Sequence, residues 1–213
     1  KIKTLKFQVF PRNQPRKKVN LKTYPLIVKC LNEEASLGIS QASVVHNEEK
    51  LKERVQFIHS KFRTDAIAEQ FIVGKEYFIG VMGNFQVKTL PVWELKFENS
   101  DTPEKEFYSS SAKFDVEYRG RKGISTGEAE IPEEQAQQLR KLAKRAYRAL
   151  GLNGYARMDV RVDEQGIPYL LEANPNPDIS EFDDFSESAK KSGYTYKKLL
   201  QKIIRMGLQW NPI

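Results

Sequence analysis

Arg157-Met158-Asp159, then a short turn, then Glu172-Ala173-Asn174-Pro175-Asn176-Pro177 is the stretch that decides the fold of this chain. Residues 155–162 and 167–173 are rich in strand-forming side chains. The residues between them, Asp163-Glu164-Gln165-Gly166, are typical of a turn. The sequence therefore predicts a β-hairpin that carries an arginine, an aspartate, a glutamate and an asparagine.

The hairpin is expected to bring these four polar side chains to one face. Side chains alternate between the two faces of a strand, so Arg157 shares a face with Asp159, and Glu172 shares a face with Asn174. In the expected register, these side chains lie together on one side of the hairpin. The expected pairings are Val162 with Ile167, Asp159 with Leu170, and Arg157 with Glu172. The side chains expected in a core on the other side are Met158, Val160, Leu171 and Ala173.

Two interpretations of this polar face follow from its chemistry. Carboxylate and amide oxygens suit Mg²⁺, which takes one or two carboxylates from a protein and leaves its other positions to water and substrate phosphates. The alternative is a solvated hairpin face with an ordinary cross-strand pair of Arg157 and Glu172. The rest of the sequence favours the first interpretation.

Composition and charge are those of an ordinary globular protein. The chain has 213 residues, a formal net charge of +7 and enough apolar residues for a core, in one domain or two. Much of the positive excess lies in the first 30 residues, which contain no acidic side chain. Such a basic run can bind nucleic acid, but it is more often a solvated face, and a pattern of aromatic residues for base stacking is absent. We therefore expect no nucleic-acid partner.

Cysteine content and hydropathy bear on the compartment. The single cysteine, Cys30, excludes an internal disulfide and suits a reducing environment. No apolar run is long enough to span a membrane. We therefore expect a cytoplasmic protein without a membrane partner. Because the chain opens with Lys1 and shows no signal-peptide pattern, we also expect that a preceding domain is missing.

The first part of the chain, residues 1–84, is predicted to form an α+β subdomain. Residues 24–30 form a predicted buried strand with Lys29 near its end. Asn47 is a predicted N-cap for a helix with one apolar face. Two further predicted strands cover residues 66–72 and 76–82.

Residues 85–213 are predicted to form a second α+β subdomain. Residues 119–130 are rich in glycine and charge, which predicts a long loop. Pro132 and Gly151 are the expected start and end of a helix with an apolar stripe. A final helix is predicted over residues 196–208. Its expected buried side chains are Leu199, Leu200, Ile203 and Ile204.

Taken in order, these segments resemble the ATP-grasp ligases, and most closely the D-alanine–D-alanine ligase group. The likeness extends from about Tyr24 to the final helix, and it begins at the family's central domain. It is carried by Lys29 on a strand, by the small-residue loop after it, by Glu69-Gln70-Phe71-Ile72-Val73-Gly74-Lys75-Glu76, by Lys113, and by the hairpin residues Arg157, Asp159, Glu172 and Asn174.

The resemblance implies a fold and an activity. The implied fold is the α+β ATP-grasp architecture, in which two subdomains grip ATP between two antiparallel sheets. The implied activity is ATP-dependent ligation of a carboxylate to an amine through an acylphosphate. Such chemistry needs positioning and charge neutralisation more than a protein nucleophile. The implied partners are small-molecule carboxylate and amine substrates, amino acids among them, and a second copy of the chain that pairs through the missing N-terminal domain.

The resemblance also implies roles for single residues. It assigns the phosphates to Lys29, Lys113 and a covering loop that includes Ser36. It assigns the adenine to the segment with Glu69, Phe71 and Ile72, and the ribose hydroxyls to Glu76, whose carboxylate accepts hydrogen bonds. It assigns two Mg²⁺ ions, with Mn²⁺ as the alternative, to Asp159, Glu172 and Asn174. Arg157 is the implied catalytic residue, which steadies the transferred phosphoryl group.

Three positions depart from the family pattern. Glu34 and Ala35 stand where small polar and glycine residues are expected in the phosphate-covering loop. Asp178 stands where a glycine is expected near the amine-binding pocket, which argues against a plain D-alanine acceptor. These changes keep open the alternative of a catalytically reduced ATP-binding module that acts in regulation or partner binding. A ligase that modifies a polypeptide terminus is a further alternative, because the resemblance implies the same nucleotide site for that group.

Overall fold

The chain forms two compact units. The structure, a computed structural model, describes residues 1–14, 18–33, 36–99 and 107–210, and it describes Phe114 by its backbone alone. The four-stranded unit comprises Leu5–Val73 and Phe97–Ile124. The five-stranded unit comprises Lys1–Thr4, Gly74–Lys96 and Ser125–Ile213. Two antiparallel sheets with helices confirm the expected α+β class.

The helices and strands follow one another along the chain in a mixed order. They are β1 (Phe7–Phe10), β2 (Leu26–Cys30), β3 (Val44–Val45), α1 (Glu48–Lys61), β4 (Ala66–Gln70), β5 (Gly74–Met82), β6 (Lys88–Phe97), α2 (Ser110–Phe114), α3 (Val116–Lys122), β7 (Ile124–Glu128), α4 (Glu133–Ala149), β8 (Tyr155–Asp163), β9 (Pro168–Asn174), α5 (Asp184–Lys191) and α6 (Tyr196–Leu208). None of these helices combines the length and apolarity that crossing a bilayer requires, within the part of the chain that the structure describes.

The four-stranded unit is built on the antiparallel order β1-β4-β2-β3. Helix α1 begins as predicted, because the Asn47 side chain accepts a hydrogen bond from the Lys50 amide at 2.9 Å. Its apolar face, with Leu51, Val55 and Ile58, is buried in the core of this unit. Strand β1 was not predicted, since its segment shows basic charge more clearly than strand periodicity.

The five-stranded unit has the order β7-β6-β5-β8-β9, so β5 and β8 lie at its centre. Helix α4 buries Leu139, Ala143 and Tyr147 in a core with one face of this sheet. Side chains alternate along β5, so Tyr77, Ile79 and Val81 enter that core while the intervening side chains lie on the opposite face. That opposite face carries the polar hairpin residues.

The boundary between the units lies at Val73 and Gly74, whereas the sequence predicts subdomains 1–84 and 85–213. Strand β5 belongs to the later unit because all nine of its residues, from Gly74 to Met82, pair with β8. The chain also returns to the four-stranded unit over Phe97–Ile124. Pairing between distant strands therefore sets the division, and it leaves no local mark in the sequence.

Two local predictions were wrong. Residues 119–130 do not form a long loop, because α3 ends at Lys122 and β7 follows. Helix α3 buries none of its described side chains, so it lacks the apolar periodicity that announces a helix, and it is defined by its caps, Asp115 and Gly123. Helix α6 has the predicted bounds, and Leu199 is buried as expected. Its other buried side chain is Met206, whereas Leu200 and Ile203 are half-buried and Ile204 is 62% exposed.

Gly74→Ala is expected to destabilise the chain by about 3 kcal/mol. Gly74 has φ +151°, and a Cβ there would lie 2.0 Å from the carbonyl oxygen of Val162 on β8. Gly127→Ala is the matched control, because a Cβ at Gly127 meets no described atom within 4 Å. Thermal unfolding should show a much lower melting temperature for Gly74→Ala and little change for Gly127→Ala. Equal melting temperatures would contradict this packing of β5 against β8.

Candidate functional site

The β8–β9 hairpin forms, but in a different register from the predicted one. Val162 pairs with Pro168, not with Ile167. The register shifts again between Asp159 and Val160, because Leu171 is an additional residue in β9. A shift of one residue turns every side chain to the other face of a sheet. Two shifts restore the original faces, so the error in register leaves the predicted common face intact.

The four polar residues therefore lie side by side on one face. The observed pairs are Arg157 with Asn174 and Asp159 with Glu172, where the prediction paired Arg157 with Glu172 and Asp159 with Leu170. The bulge also exchanges two leucines, since Leu170, not Leu171, packs against the core under α4. The other three predicted core residues, Met158, Val160 and Ala173, lie in or against that core as expected.

Arg157 and Asp159 form a two-point ion pair. Arg157 Nε and Nη2 donate to the two carboxylate oxygens of Asp159 at 2.8 and 2.9 Å. The guanidinium carbon lies 4.9 Å from the centre of the Phe78 ring. Burial lowers the pKa of Arg157, but the Asp159 charge and hydrogen bonds outweigh this effect and raise it above its usual range. Arg157 is therefore a fixed positive charge in the middle of the sheet.

Glu172 and Asn174 extend this polar face to the edge strand β9. Glu172 is exposed, and the amide oxygen of Asn174 accepts a hydrogen bond from the Asn176 backbone at 2.9 Å. Two carboxylates and an amide oxygen are hard donors that fit Mg²⁺, which needs few protein ligands. Within the described ranges, no group of three His, Cys, Asp or Glu side chains is arranged to hold a metal. Two carboxylates and one amide suit a metal whose other positions are taken by water or phosphate oxygens.

Further acidic side chains lie near Arg157. Asp183 occupies the N-cap position of α5 in extended conformation, without a capping hydrogen bond from its side chain. Asp184 accepts a hydrogen bond from the Thr126 hydroxyl at 2.5 Å. Burial raises the pKa of Asp183 above its usual range, and the charges of Asp184 and Asp178 add to the rise. One carboxylate oxygen of Asp183, Oδ1, is buried without a hydrogen-bond partner. Negative charge therefore exceeds positive charge in this region.

Glu76 lies on the same face of β5, beside Arg161 of β8. The two residues are cross-strand partners, and Arg161 Nη1 lies 3.8 Å from Glu76 Oε2. Both residues are buried. Arg157, Asp159 and Arg161 follow one another at alternate positions, so the face carries charge along the whole centre of the sheet.

In the four-stranded unit, Lys29 and Glu69 are brought together. Lys29 Nζ lies 2.7 Å from Glu69 Oε2, and both side chains are largely buried. The pair joins β2 and β4, in which Ile27 is the direct partner of Glu69. Two residues that the resemblance assigns to the nucleotide therefore bind each other across neighbouring strands.

Phe71 and Ile72 follow β4 directly and are both buried. The Phe71 ring packs edge-on against Phe107, with ring centres 5.6 Å apart, and both rings cluster with Ile27. The Phe71 amide donates to the carbonyl of Pro25 at 3.0 Å. This apolar cluster is a rigid support for the backbone of the segment.

The remaining predicted residues lie on short segments of the same unit. Ser36 has φ +61°, and its hydroxyl donates to the carbonyl of Tyr108 at 3.0 Å. Lys113 lies in α2, a short helix capped by Ser109. Lys113 is half-buried. Glu34 and Ala35, the two departures in the loop, lie outside the described residues.

Some residues of the polar face were missed from the sequence. Arg161 could have been found, since it continues the alternation of Arg157 and Asp159. Asp183 and Asp184 could not, because they approach Arg157 through the packing of α5 and not through strand periodicity.

Comparison with known proteins adds independent findings. The family model described as D-ala D-ala ligase C-terminus matches residues 2–205. A D-alanine–D-alanine ligase of a Thermoanaerobacter species is 31% identical over 195 residues, which cover 91% of this chain and 51% of that protein. The chain spans about half the length of the first curated relatives that it matches.

Solved structures share the fold. The crystal structure of D-alanine–D-alanine ligase from Bacillus anthracis complexed with ATP matches with a TM-score of 0.73 and 22% identity, over 98% of this chain and 61% of that one. VanG D-Ala:D-Ser ligase from Enterococcus faecalis matches with a TM-score of 0.74 and 24% identity, over 96% of this chain and 57% of that one. These matches confirm the expected two-sheet architecture.

Asp183→Asn is expected to raise the melting temperature at pH 7. A carboxyl with a raised pKa in the folded state stabilises the fold below its unfolded pKa, about 3.9, and that stability is lost as the pH rises through the folded pKa. The increase in melting temperature caused by Asp183→Asn should therefore be present at neutral pH and become smaller towards pH 4. The control is Asp115→Asn, at the cap of α3, where Asp115 accepts a hydrogen bond from Tyr118 at 2.9 Å. If the melting temperature of Asp183→Asn differs from that of the unchanged chain by the same amount at every pH, the repulsion of Asp183 by neighbouring carboxylates is contradicted.

Proposed function

Since the chain belongs to the D-ala D-ala ligase C-terminus family, an ATP-grasp group of ligases, we propose that it carries the nucleotide-binding and catalytic part of an ATP-dependent carboxylate–amine ligase. The observation that carries this proposal is the polar face of the five-stranded sheet. It joins a fixed guanidinium, two carboxylates and an amide within two neighbouring strands.

The proposed reaction has two steps. A substrate carboxylate oxygen attacks the γ-phosphorus of ATP, so a carboxyl O–P bond forms, the bond to the β-phosphate oxygen breaks, and ADP leaves. The amine nitrogen then attacks the activated carbonyl carbon, the C–O bond to phosphate breaks, and inorganic phosphate leaves as the nitrogen loses its proton. Charge on the transferred group must be neutralised throughout.

Residues of the polar face would divide this task. Asp159, Glu172 and Asn174 would hold Mg²⁺, which when bound neutralises phosphate charge. Arg157 would bind the transferred phosphoryl group, because a guanidinium presents paired donors that match phosphate oxygens. Its pair with Asp159 keeps it in place until a phosphate competes for it. Glu76 would accept hydrogen bonds from the ribose hydroxyls.

Residues of the four-stranded unit would contribute separately. We assign Lys29 and Lys113 to phosphates, with Ser36 in the covering loop, and the segment with Glu69, Phe71 and Ile72 to the adenine. The 2.7 Å pair of Lys29 and Glu69 supports a preformed arrangement, in which the lysine is already held on its strand. A triphosphate would then compete with Glu69 for Lys29.

The second substrate is proposed to be an amine without a carboxylate beside it. Asp183 and Asp184 add negative charge near Arg157, and Asp178 lies close enough to Asp183 to raise the pKa of that carboxyl. Like charges at close range cost several kcal/mol, so an acceptor such as D-alanine would bring its carboxylate to an unfavourable place. A neutral or cationic group at the same position would be favoured. We propose an amino acid as the first substrate, and the relationship to D-alanine–D-alanine ligases supports this class.

Glu172→Gln is expected to weaken Mg-ATP binding by at least about tenfold, because the amide removes a charged metal ligand. Calorimetric titration of the 213-residue chain with Mg-ATP measures the dissociation constant. Glu164→Gln, in the exposed hairpin turn, is the matched control and should bind like the unchanged chain. An unchanged dissociation constant for Glu172→Gln would contradict the assignment of Glu172 as a metal ligand.

D-alaninamide is expected to support amine-dependent ADP release about tenfold better than D-alanine, with a mixture of amino acids as first substrates. The two amines differ in one carboxylate and also in the basicity of their amino group, so the change of the ratio in Asp183→Asn, and not the ratio itself, isolates the charge effect of the site. Asp183→Asn should lower the ratio of ADP release with D-alaninamide to ADP release with D-alanine. Preference for D-alanine would contradict the assigned acceptor class. Mg-ATP binding without ADP release for any pair would instead favour a nucleotide-binding module that acts in regulation.

A further inference from the structure

Arg161 is a buried arginine next to the proposed ribose carboxylate. Its side chain is only 4% exposed, and that of Glu76 is 10% exposed. Arg161 Nε and Nη2 both donate to the Gly74 carbonyl, at 3.2 and 3.1 Å. Arg161 Nη1 lies 3.8 Å from Glu76 Oε2. One guanidinium therefore contacts two positions of β5, the first residue of the strand and the carboxylate two residues later.

The two contacts differ in kind. Charge-assisted hydrogen bonds between a guanidinium and a carboxylate are usually about 2.7–2.9 Å long, so the 3.8 Å approach to Glu76 is an electrostatic contact. The bonds to Gly74 fix where the guanidinium sits. Because a buried carboxylate is costly without a nearby positive charge, Arg161 makes the buried position of Glu76 tenable.

The backbone at Gly74 makes this arrangement rigid. Gly74 has φ +151°, and its α-carbon lies so close to β8 that a Cβ would meet the Val162 carbonyl oxygen at 2.0 Å. Arg161 is the neighbour of Val162 on β8 and the direct partner of Glu76. The start of β5 is thus held by backbone contact and by the Arg161 guanidinium together.

We propose that Arg161 is a positioning residue for nucleotide recognition, which holds the Glu76 carboxylate in place to receive the two ribose hydroxyls. This inference rests on the proposed function, in which Glu76 binds the ribose. Arg161 itself touches no part of the nucleotide. Loss of the Arg161 guanidinium should therefore reduce the affinity that the ribose hydroxyls contribute, and it should leave the contacts to the base and phosphates in place.

The test compares Mg-ATP with Mg-2′,3′-dideoxy-ATP, which lacks both hydroxyls. Calorimetric titration of the 213-residue chain gives both dissociation constants, and their ratio is the readout. The unchanged chain should prefer ATP by about tenfold or more. Arg161→Gln and Glu76→Gln should each reduce the ratio to about twofold, and the double variant should show no further loss.

Two further variants make the result decisive. Arg140→Gln removes an arginine of α4 that pairs with Glu133 at 2.6 Å on the surface, and it should leave the ratio unchanged. Arg161→Lys keeps the charge and gives an intermediate ratio. It also supplies the measurement if Arg161→Gln does not fold, as judged by thermal unfolding.

The contrary outcomes are distinct. If the Arg161 variants weaken both nucleotides equally and keep the ratio, Arg161 is merely structural and the inference is overturned. If the unchanged chain binds both nucleotides equally, the ribose assignment of Glu76 and the inference fail together, while ATP binding stands. If the unchanged chain binds neither, the proposed function itself fails.

Discussion

The ion pair of Arg157 with Asp159 is the interaction on which the polar face depends. Two charged side chains on a central strand can remain buried only if each satisfies the other, and the two hydrogen bonds of 2.8 and 2.9 Å do this. The pair also holds the arginine over Phe78 and away from solvent. In the proposed function, a phosphate would pair with Arg157 and a metal ion with Asp159, so neither charge would be left unpaired. The resting structure is thus suited to exchange one set of ionic contacts for another.

Packing on the opposite face of the same sheet stabilises this arrangement of charges. Apolar side chains of β5 and β8 alternate with the charged ones and form a close-packed core with α4. The core fixes the positions of the strands, and the strands fix the spacing of the charges. The bulge at Leu171 is part of this design, because it places Glu172 beside Asp159 and Leu170 in the core. Packing and charge therefore specify one register together.

The sequence predicted what strong local patterns encode. The hairpin, α4 and the cap of α1 at Asn47 are marked by alternation, an apolar stripe and a capping side chain, and all three were confirmed. The register was wrong because the turn holds one residue more than predicted and the bulge adds one residue to β9, and neither change leaves a periodic mark in the sequence. Helix α3 was missed for lack of a buried face, and Asp183 was missed because tertiary packing brings it to Arg157. The function was inferred from several motifs that occur in a fixed order along the chain, because no single motif would have been specific enough.

A crystal structure of this chain with Mg²⁺ and a non-hydrolysable ATP analogue tests the central claim most directly. The account predicts a metal ion about 2.1 Å from oxygens of Asp159, Glu172 and Asn174, with the Arg157 guanidinium turned from Asp159 to the terminal phosphate. A structure in which the nucleotide binds elsewhere, while Arg157 keeps both hydrogen bonds to Asp159 and no metal lies on this face, would contradict it.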